Sequence, residues 1–415
     1  MPQKAAPLPR LVILADGRSP ITHGWVRCAV DAGLDVHLIS SSPVDEGTEL
    51  PVPVYEFPLG LAQIRRGVAR ATGAAPHAYK TIMRRGVHPA RTAIDRWLQV
   101  PLALADVRRT RGRLSSLIGQ LAPAAVHALR IPFEGVAAAG AVPDGVPLAV
   151  SVWGNDFTLH AEGNRWLGRE TRRAMKRTDL LFADCARDLR LASARWGFDP
   201  ENLRCWAPGN GGVDSQCFFP GPPRPETAAA LGIPGGARVV VNARGLRGYV
   251  RTREFLHALP LVRAAVPETV AICLGIDAST AALLAPASVM PMLRCLPAVQ
   301  HPMLGDIFRL AEISVSPSEH DGTPNTLIEA MACGCLPVAG DIESIREWID
   351  PGVNGLLCNP RDPASIAEAI LRGLADDGLR ARAREGNPGT VINKANRRNV
   401  SEAARAAYGQ LLARP

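Results

Sequence analysis

The stretch Ser316-Pro-Ser-Glu-His-Asp-Gly-Thr-Pro-Asn-Thr-Leu-Ile-Glu-Ala-Met-Ala-Cys-Gly334 predicts a strand, a polar loop and a helix, in that order. An apolar run over 313–316 supplies the strand. Thr323 is a favoured N-cap residue, and Pro324 is expected at the first helical position, where its missing N–H costs nothing. We expect the helix to run from Pro324 to about Cys333 and to stop at Gly334. Strand, loop and helix together form one crossover of an α/β sheet.

Similar apolar runs recur on both sides of this stretch and alternate with helical patterns. Such runs are typical of strands that are buried on both faces of a parallel sheet. In the first half they fall at 11–15, 35–39, 124–128, 148–152 and 180–183. In the second half they fall at 238–242, 269–274, 292–296, 313–316, 336–339 and 355–358.

A proline-rich segment, Pro220-Gly-Pro-Pro-Arg-Pro225, is the strongest linker signal and separates the two series of strands. The sequence therefore predicts two Rossmann-like, doubly wound α/β domains facing each other across a cleft, which is the natural place for a ligand. We expect a first domain over 1–218 that binds an acceptor and a second over 219–395 that binds a donor. A last helix over 396–415 has no strand after it, and packing back on the first domain is one option for it.

Composition points to the cytoplasm. No apolar run reaches the roughly 20 residues that a transmembrane helix needs, and the N-terminus lacks a signal peptide. Nine cysteines are scattered without a Cys-x-x-Cys pair, which argues against a disulfide framework or a zinc site.

Positive charge is concentrated over 61–113, where twelve Lys and Arg residues stand against two acids. Apolar residues at helical spacing in the same segment suit a surface helix on an anionic membrane. Peripheral attachment to the inner face of a membrane is therefore one interpretation. An anionic acceptor or a merely solvated arginine-rich face are the others. Nucleic acid is not expected, because no recognised binding motif accompanies the charge.

The signature stretch also carries ligand chemistry. A helix N-terminus after a strand offers free N–H groups and a positive dipole end to an anion such as a diphosphate. Side chains tilt toward the helix N-terminus, so Glu329 should point to the ligand end and accept from two adjacent ribose hydroxyls. Asp321, on the loop, should face a sugar. The plain alternative is a generic crossover with incidental acids.

From Pro317 to Gly334, the pattern Pro-Ser-x-x-Asp-Gly-Thr-Pro-Asn-Thr-Leu-Ile-Glu-Ala-Met-Ala-Cys-Gly resembles the signature of family 4 of the glycosyltransferases. The resemblance implies a retaining enzyme of the GT-B fold. That family usually has two Glu residues here, eight apart, and Asp321 stands in place of the first. Similar stretches extend over 303–318, 343–349 and 352–357, and Gly212-Val-Asp214 resembles the family's exit from the first domain.

This resemblance implies transfer of a sugar, hexosyl in type, from a UDP- or GDP-linked donor to the hydroxyl of an unknown acceptor. The acceptor proton would pass to the leaving phosphate on the same face, with no metal and no cofactor. Glu329 would hold the ribose and Asp321 a sugar hydroxyl. The other donor contacts implied are Gly322, Thr323, Pro324, Asn325 and Thr326.

The family places an Arg and a following Lys at the start of the second domain. Arg244 fits the first position, but no Lys follows it. Arg247 or Arg251 would then supply the second cation. We assign Arg244 and Arg251 to catalysis, and Arg247 to binding of the donor. Cations there stabilise charge that develops on the leaving diphosphate.

The first domain departs further from the pattern. Trp153 stands where many relatives have a His, and Asp156 either orients an acceptor as a catalytic residue or caps a helix. His23 and His127 are the other acceptor-side candidates. Gly17, in the first loop, is expected against the diphosphate.

Three rival functions remain. A sugar-nucleotide epimerase shares the scaffold. A phosphorylase would need a cofactor lysine, for which the second half offers only Lys394. A non-catalytic protein that binds nucleotide sugars is the third.

Overall fold

The computed structural model describes residues 8–44, 50–60 and 89–414, and for 89–98 it describes the backbone alone. The chain divides into two compact units. The first holds the described residues up to Ala183, then Asp188–Gly211 and the chain from Ser401 onward. The second holds Asp184–Arg187 and Gly212–Val400.

A parallel sheet of seven strands organises the described part of the first unit, in the order β3-β2-β1-β4-β5-β6-β7. Its strands are β1 Arg10–Ala15, β2 Asp35–Ser40, β3 Val54–Glu56, β4 Ala125–Ala128, β5 Leu148–Val152, β6 Leu180–Ala183 and β7 Leu203–Trp206. The helices between them are α1 Pro20–Asp31, α2 Pro89–Leu121, α3 Val136–Ala141, α4 Arg165–Arg177 and α5 Ala186–Trp196.

The second unit repeats this architecture with six parallel strands in the order β10-β9-β8-β11-β12-β13. They are β8 Arg238–Asn242, β9 Thr269–Leu274, β10 Leu293–Leu296, β11 Ile313–Ser316, β12 Leu336–Gly340 and β13 Leu356–Cys358. The helices that follow Gly212 are α6 Pro225–Ala230, α7 Thr252–Ala265, α8 Ala278–Leu284, α9 His301–Leu310, α10 Asn325–Ala332, α11 Pro363–Ala375, α12 Asp377–Ala395 and α13 Arg397–Leu412, the last continuing into the first unit.

Each sheet has its own hydrophobic core. Val12, Val126 and Val150 are fully buried in the first, and Val240 and Val338 in the second. Apolar side chains on both faces of a strand must be covered by helices, which is why a parallel sheet with crossover helices forms. The prediction of two doubly wound α/β units is confirmed.

Every strand predicted from an apolar run is present, with ends that differ by no more than one residue. The sequence missed β3 and β7, which are the two edges of the first sheet. An edge strand has a neighbour on one side only, and the side chains of β3 are exposed or half-buried. These strands therefore carry no continuous apolar run that a sequence pattern could reveal.

Helix α10 begins one residue later than predicted. Pro324 has extended backbone angles and is itself the N-cap residue, so the assignment of Thr323 as the cap was wrong. The Thr323 hydroxyl donates instead to the carbonyl of Asp184 at 2.5 Å and accepts from Trp348 Nε1 at 3.0 Å. The predicted stop is confirmed, because Gly334 has φ +85° just after the helix.

The boundary between the two units lies between Gly211 and Gly212, whereas the sequence predicted it between residues 218 and 219. Val213 forms a backbone bridge with Asn396, which ties this segment to the second unit. Gly212 has φ +83°, and an added Cβ would lie 2.5 Å from Arg397 Cα. Backbone packing on the start of α13, rather than the proline-rich segment, therefore sets the boundary.

Candidate functional site

In each unit the strand order reverses at one point, between β8 and β11 in the second unit and between β1 and β4 in the first. Ligands of open α/β sheets bind beyond the carboxyl ends of the strands at such a point. In the second unit, Arg244 follows β8, and Asp321 lies between β11 and α10. The predicted donor residues therefore occupy the reversal point of the second sheet.

Arg244 is the centre of this group. Its NH2 group forms an ion pair with Asp321 Oδ2, and its NH1 group donates to Thr326 Oγ1 at 3.1 Å. Only 7% of the Arg244 side chain and 16% of the Asp321 side chain are exposed. The backbone N–H of Arg244 donates to Asn242 Oδ1 at 3.2 Å, which fixes the turn after β8. Sequence positions 77 residues apart are thus joined in one polar cluster.

The loop that carries Asp321 is held from behind. The Asp321 carbonyl accepts from Arg187 NH1 at 2.8 Å and from Ser344 Oγ at 2.7 Å. Gly322 follows, and an added Cβ would lie 2.1 Å from Asp184 Oδ1. Asp184 and Arg187 are grouped with the second unit. Gly322 is therefore required by close packing, whatever its backbone offers to a ligand.

Glu329 lies on α10 and is 6% exposed. Among the described residues, none donates a hydrogen bond to its carboxylate. Burial raises its pKa to about 7, although Arg244 and Arg397 act to lower it. A buried carboxylate without hydrogen-bond donors is costly, and a pair of ligand hydroxyls would satisfy it.

The first turn of α10 adds donors to the same place. Asn325 and Thr326 are half-buried and open the helix, where backbone N–H groups have no intrahelical acceptor. The Thr326 hydroxyl already contacts Arg244. A cation, a helix N-terminus and a buried carboxylate therefore meet at one sheet edge, which suits a ligand with a phosphate and a diol.

The two candidates for the second cation differ in their surroundings. Arg251 contacts Glu254 at 2.9 Å and Glu319 at 2.5 Å. Burial acts to lower its pKa, but the hydrogen bonds that Arg251 donates to these two carboxylates prevail and raise it. Arg247 is exposed and contacts the Tyr249 hydroxyl and the Arg244 carbonyl, both at 3.2 Å. The charge of Arg251 is thus neutralised by acids, whereas no acid in the described part of the chain pairs with Arg247.

In the first unit, Gly17 lies directly after β1. Its N–H donates to Ser40 Oγ at 3.0 Å, and an added Cβ would lie 2.7 Å from that oxygen. His23 Nε2 lies 2.7 Å from the Gly17 carbonyl. The structure therefore gives His23 a role in holding the Gly17 loop.

His127 is a core residue rather than an acceptor-side residue, which corrects the sequence assignment. It is 0% exposed. Nδ1 lies 3.0 Å from Trp25 Nε1 and 2.7 Å from the Tyr408 hydroxyl, and Nε2 lies 2.9 Å from Ser151 Oγ. Burial lowers its pKa to about 3, so the ring is neutral at pH 7. With both nitrogens used inside the core, His127 cannot face a ligand.

Asp156 also has a different role from the catalytic one proposed for it. Its side chain is completely buried and accepts from Arg130 Nε at 3.0 Å. It further accepts from the backbone N–H groups of Ile131 and Trp153, both at 3.2 Å. Asp156 therefore fixes the connections after β4 and β5. Trp153 is half-buried, and the Arg130 guanidinium lies 5.2 Å from the centre of its ring.

Sequence reasoning missed Glu134, which lies in the connection after β4. Ser41 Oγ, just after β2, donates to Glu134 Oε1 at 2.6 Å. Burial raises the pKa of Glu134 to about 7, against the lowering effects of Ser41, its own backbone N–H and Arg130. The available signal was its place shortly after an apolar strand at the centre of the sheet, but no motif marked it.

Most of the basic segment over 61–113 lies outside the described part of the structure. Residues 61–88 lie outside the described residues, as do the side chains over 89–98.

Comparison with known proteins identifies the second unit. Residues 238–376 match the family model described as Glycosyl transferases group 1. This stretch contains Arg244, Asp321 and Glu329.

Curated relatives include two bacterial proteins named D-inositol 3-phosphate glycosyltransferase. That of Catenulispora acidiphila is 31% identical over 217 residues, which is 49% of this chain and 50% of that protein. That of Geodermatophilus obscurus is 28% identical over 223 residues, or 51% and 48%. The chain therefore spans about half the length of the curated relatives it matches.

Solved structures share this fold. Sucrose-phosphate synthase from Thermosynechococcus elongatus matches with a TM-score of 0.70 at 14% identity, over 98% of this chain and 99% of that one. Anabaena HepE in complex with UDP and glucose matches with a TM-score of 0.67 at 13% identity, over 97% and 100%. The fold is that of the GT-B glycosyltransferases.

Proposed function

We propose that this protein is a retaining, metal-independent glycosyltransferase that transfers a sugar from a nucleotide diphosphate to an acceptor hydroxyl. The observation that carries this proposal is the buried carboxylate of Glu329 on α10, close enough to Arg244 for their charges to interact. This carboxylate receives no hydrogen bond from the described residues, and a ribose diol would supply two.

A UDP-linked sugar is the first donor to test. HepE has been solved in complex with UDP-glucose, and it shares the fold. The relatives named for D-inositol 3-phosphate are glycosyltransferases by name, and the family model covers the stretch that holds the donor residues.

The chemistry would run on one face of the sugar. The bond from the anomeric carbon to the diphosphate oxygen breaks while the acceptor oxygen bonds to that carbon. The acceptor proton passes to the departing phosphate oxygen, so no protein base is needed and the anomeric configuration is kept. Arg244 would stabilise the charge that grows on the diphosphate, with Arg247 as the second cation.

Asp321 has a place in this scheme beside the sugar. Its carboxylate holds Arg244 in the described structure, and accepting from a sugar hydroxyl would use its remaining lone pairs. Aspartate is one methylene shorter than the glutamate usual in the family. The sugar would therefore lie closer to the loop after β11.

A thermal-shift panel of UDP-, GDP-, ADP- and TDP-sugars tests the proposal, because a ligand that binds the native state raises its stability. We expect one nucleotide series to raise the Tm of the wild type, and Glu329→Ala to abolish the shift. Glu368→Ala is the matched control, since Glu368 is an exposed residue of helix α11 in the same unit. An equal shift in Glu329→Ala would contradict the ribose assignment.

Turnover separates the proposal from its rivals. Release of the nucleotide diphosphate with transfer of the sugar supports a transferase. Binding without any turnover, even with acceptor extracts, would favour a non-catalytic binder. Epimerised donor as the product would identify an epimerase.

Attachment to an anionic membrane is a further part of the proposal. Within the described ranges, every helix is too short or too polar to span a bilayer. Helix α4 of the first unit is strongly basic, and five of its cations are exposed: Arg165, Arg169, Arg172, Arg173 and Lys176. Trp166, 40% exposed, lies among them. Exposed cations with an interfacial aromatic residue favour an anionic lipid surface.

A further inference from the structure

Glu134 lies at the second reversal point of the molecule. It follows β4, and Gly17 follows β1, so the two lie beyond the carboxyl ends of the two strands between which the order of the first sheet reverses. This position in the first sheet corresponds to that of Arg244 and Asp321 in the second. A ligand of the first unit is expected here on topology alone.

The chain geometry around Glu134 is specialised. Phe133, the residue before it, has φ +71°, a value that non-glycine residues rarely adopt. Gly135, the residue after it, leaves no room for a side chain, because an added Cβ would lie 2.9 Å from the Arg130 carbonyl. A strained residue on one side and a required glycine on the other hold Glu134 in a fixed place. Such strain clusters at functional sites.

The nearby positive charges are already paired. Arg130 is bound by Asp156, as described above, and Arg18 forms an ion pair with Asp16 at 2.8 Å. The negative charge of Asp16 also acts to raise the pKa of Glu134. The described groups around Glu134 therefore favour hydroxyl donors and disfavour a phosphate, which would need unpaired Arg, Lys or N–H groups.

On the basis of the proposed function, we infer that Glu134 binds vicinal hydroxyls of the acceptor and that the acceptor is an uncharged polyol or sugar at this position. The Glu134 carboxylate accepts from two acceptor hydroxyls, as Glu329 does from the ribose. It thereby selects against acceptors that carry a phosphate there. This differs from the relatives whose name specifies inositol 3-phosphate.

Paired acceptors test this inference. The probes are myo-inositol with inositol 3-phosphate, glucose with glucose 6-phosphate, and glycerol with glycerol 3-phosphate, each added to the wild type with the donor that the thermal-shift panel selects. We expect faster release of the nucleotide diphosphate with the neutral member of at least one pair. Faster release with the phosphorylated members, or no stimulation by any probe, would overturn the inference.

Two variants separate binding from a structural role. Glu134→Gln should raise KM for the neutral acceptor about tenfold or more, because a charged acceptor of hydrogen bonds is lost, with kcat changed by less than about twofold. Ser41→Ala removes the internal hydrogen bond to Glu134 but keeps the carboxylate, so KM should change by less than about threefold. Equal effects of the two variants would show that Glu134 only secures the loop after β2.

The donor site provides the internal control. Glu134 belongs to the first unit, and the thermal shift with the donor should be the same in Glu134→Gln and in the wild type. If no donor raises the Tm of the wild type, the proposed transferase function is wrong. A normal donor shift with unchanged acceptor KM in Glu134→Gln would contradict this inference alone.

Discussion

Arg244 and Asp321 form a buried ion pair that joins the loop after β8 to the loop after β11. The pair closes the reversal point of the second sheet, with Thr326 as a third partner at 3.1 Å. A buried pair is strongly coupled, because removing one partner leaves the other charge without compensation. The two residues should therefore respond to substitution as a unit.

Arg244→Ala should lower kcat by roughly 10²- to 10³-fold, since a preorganised cation at the leaving group is lost. Arg244→Lys keeps the charge but loses the fork that reaches both Asp321 and Thr326, and a loss of about tenfold is expected. Steady-state rates with saturating donor measure both effects.

Arg251→Lys and Arg247→Lys compare the two candidates for the second cation. Because Arg251 is held by Glu254 and Glu319, its substitution should affect Tm more than kcat. The opposite pattern, with kcat sensitive to Arg251 and insensitive to Arg247, would reverse the choice of second cation.

Gly322→Ala should destabilise the donor loop. An added Cβ would lie 2.1 Å from Asp184 Oδ1, so either the loop or that carboxylate must move. We expect a lower Tm and a weaker thermal shift with the donor. Gly386→Ala is the control, because that glycine lies within α12 and a Cβ there would meet nothing within 4 Å. Equal Tm values for the two variants would rule out the tight contact.

Through Glu329 and Glu134, stability should fall as the pH rises from about 4.5 to about 7, while His127, whose pKa burial lowers to about 3, opposes this fall up to about pH 6.5. Burial raises the pKa of both Glu329 and Glu134 from 4.5 to about 7. In that window the unfolded chain has lost these protons and the folded chain has kept them, so a rising pH favours unfolding. The contribution is on the order of 3 kcal/mol for each group.

Urea unfolding at pH 5, 6, 7 and 8 measures this effect. Glu329→Gln and Glu134→Gln should each flatten the dependence between pH 5 and 7, because glutamine does not titrate. Variants that retain the full wild-type dependence would contradict the raised pKa values of these two carboxyls.

Binding to anionic vesicles should depend on helix α4. In flotation with phosphatidylserine and phosphatidylcholine vesicles, Arg165→Glu with Arg169→Glu should reduce the bound fraction severalfold, since each basic residue near such a surface contributes about 1 kcal/mol. Arg253→Glu with Arg382→Glu makes the same change of charge on exposed residues of the second unit. An equal loss with both pairs, or binding independent of anionic lipid, would dismiss α4 as the surface.

The strands and the signature helix could be predicted because their signals are local. Val239, Val240 and Val241 lie in a strand that is buried on both faces, and such a strand gives a continuous apolar run in the sequence. Gly334 ends α10 because glycine readily adopts a positive φ. The edge strands β3 and β7 were missed because most of their side chains are exposed or half-buried and form no continuous apolar run, whereas the edge strands β10 and β13 were predicted from apolar runs. Glu329 was found because its spacing from Asp321 places it on a known motif.

Side-chain roles in the first unit depended on neighbours that are distant in sequence. His127 is neutral and enclosed because Trp25 and Tyr408 reach it, and Tyr408 is 281 residues away. The Asp156 carboxylate accepts from Arg130, a partner that the sequence around Asp156 does not reveal. The sequence placed both near strand ends but could not show which way they face.

The sequence by itself determined the two parallel α/β units, the strand-loop-helix that ends at Gly334 and the identity of its two acids. These follow from the periodicity of apolar residues, the backbone preferences of proline and glycine, and the short-range spacing of the two acids. The tertiary structure alone decided which charges are paired: among the described residues, two carboxylates neutralise Arg251 and none neutralises Arg247. It also placed the half-buried Glu134 at the reversal point of the first sheet. Burial and pairing depend on contacts between distant segments, and no local pattern encodes them.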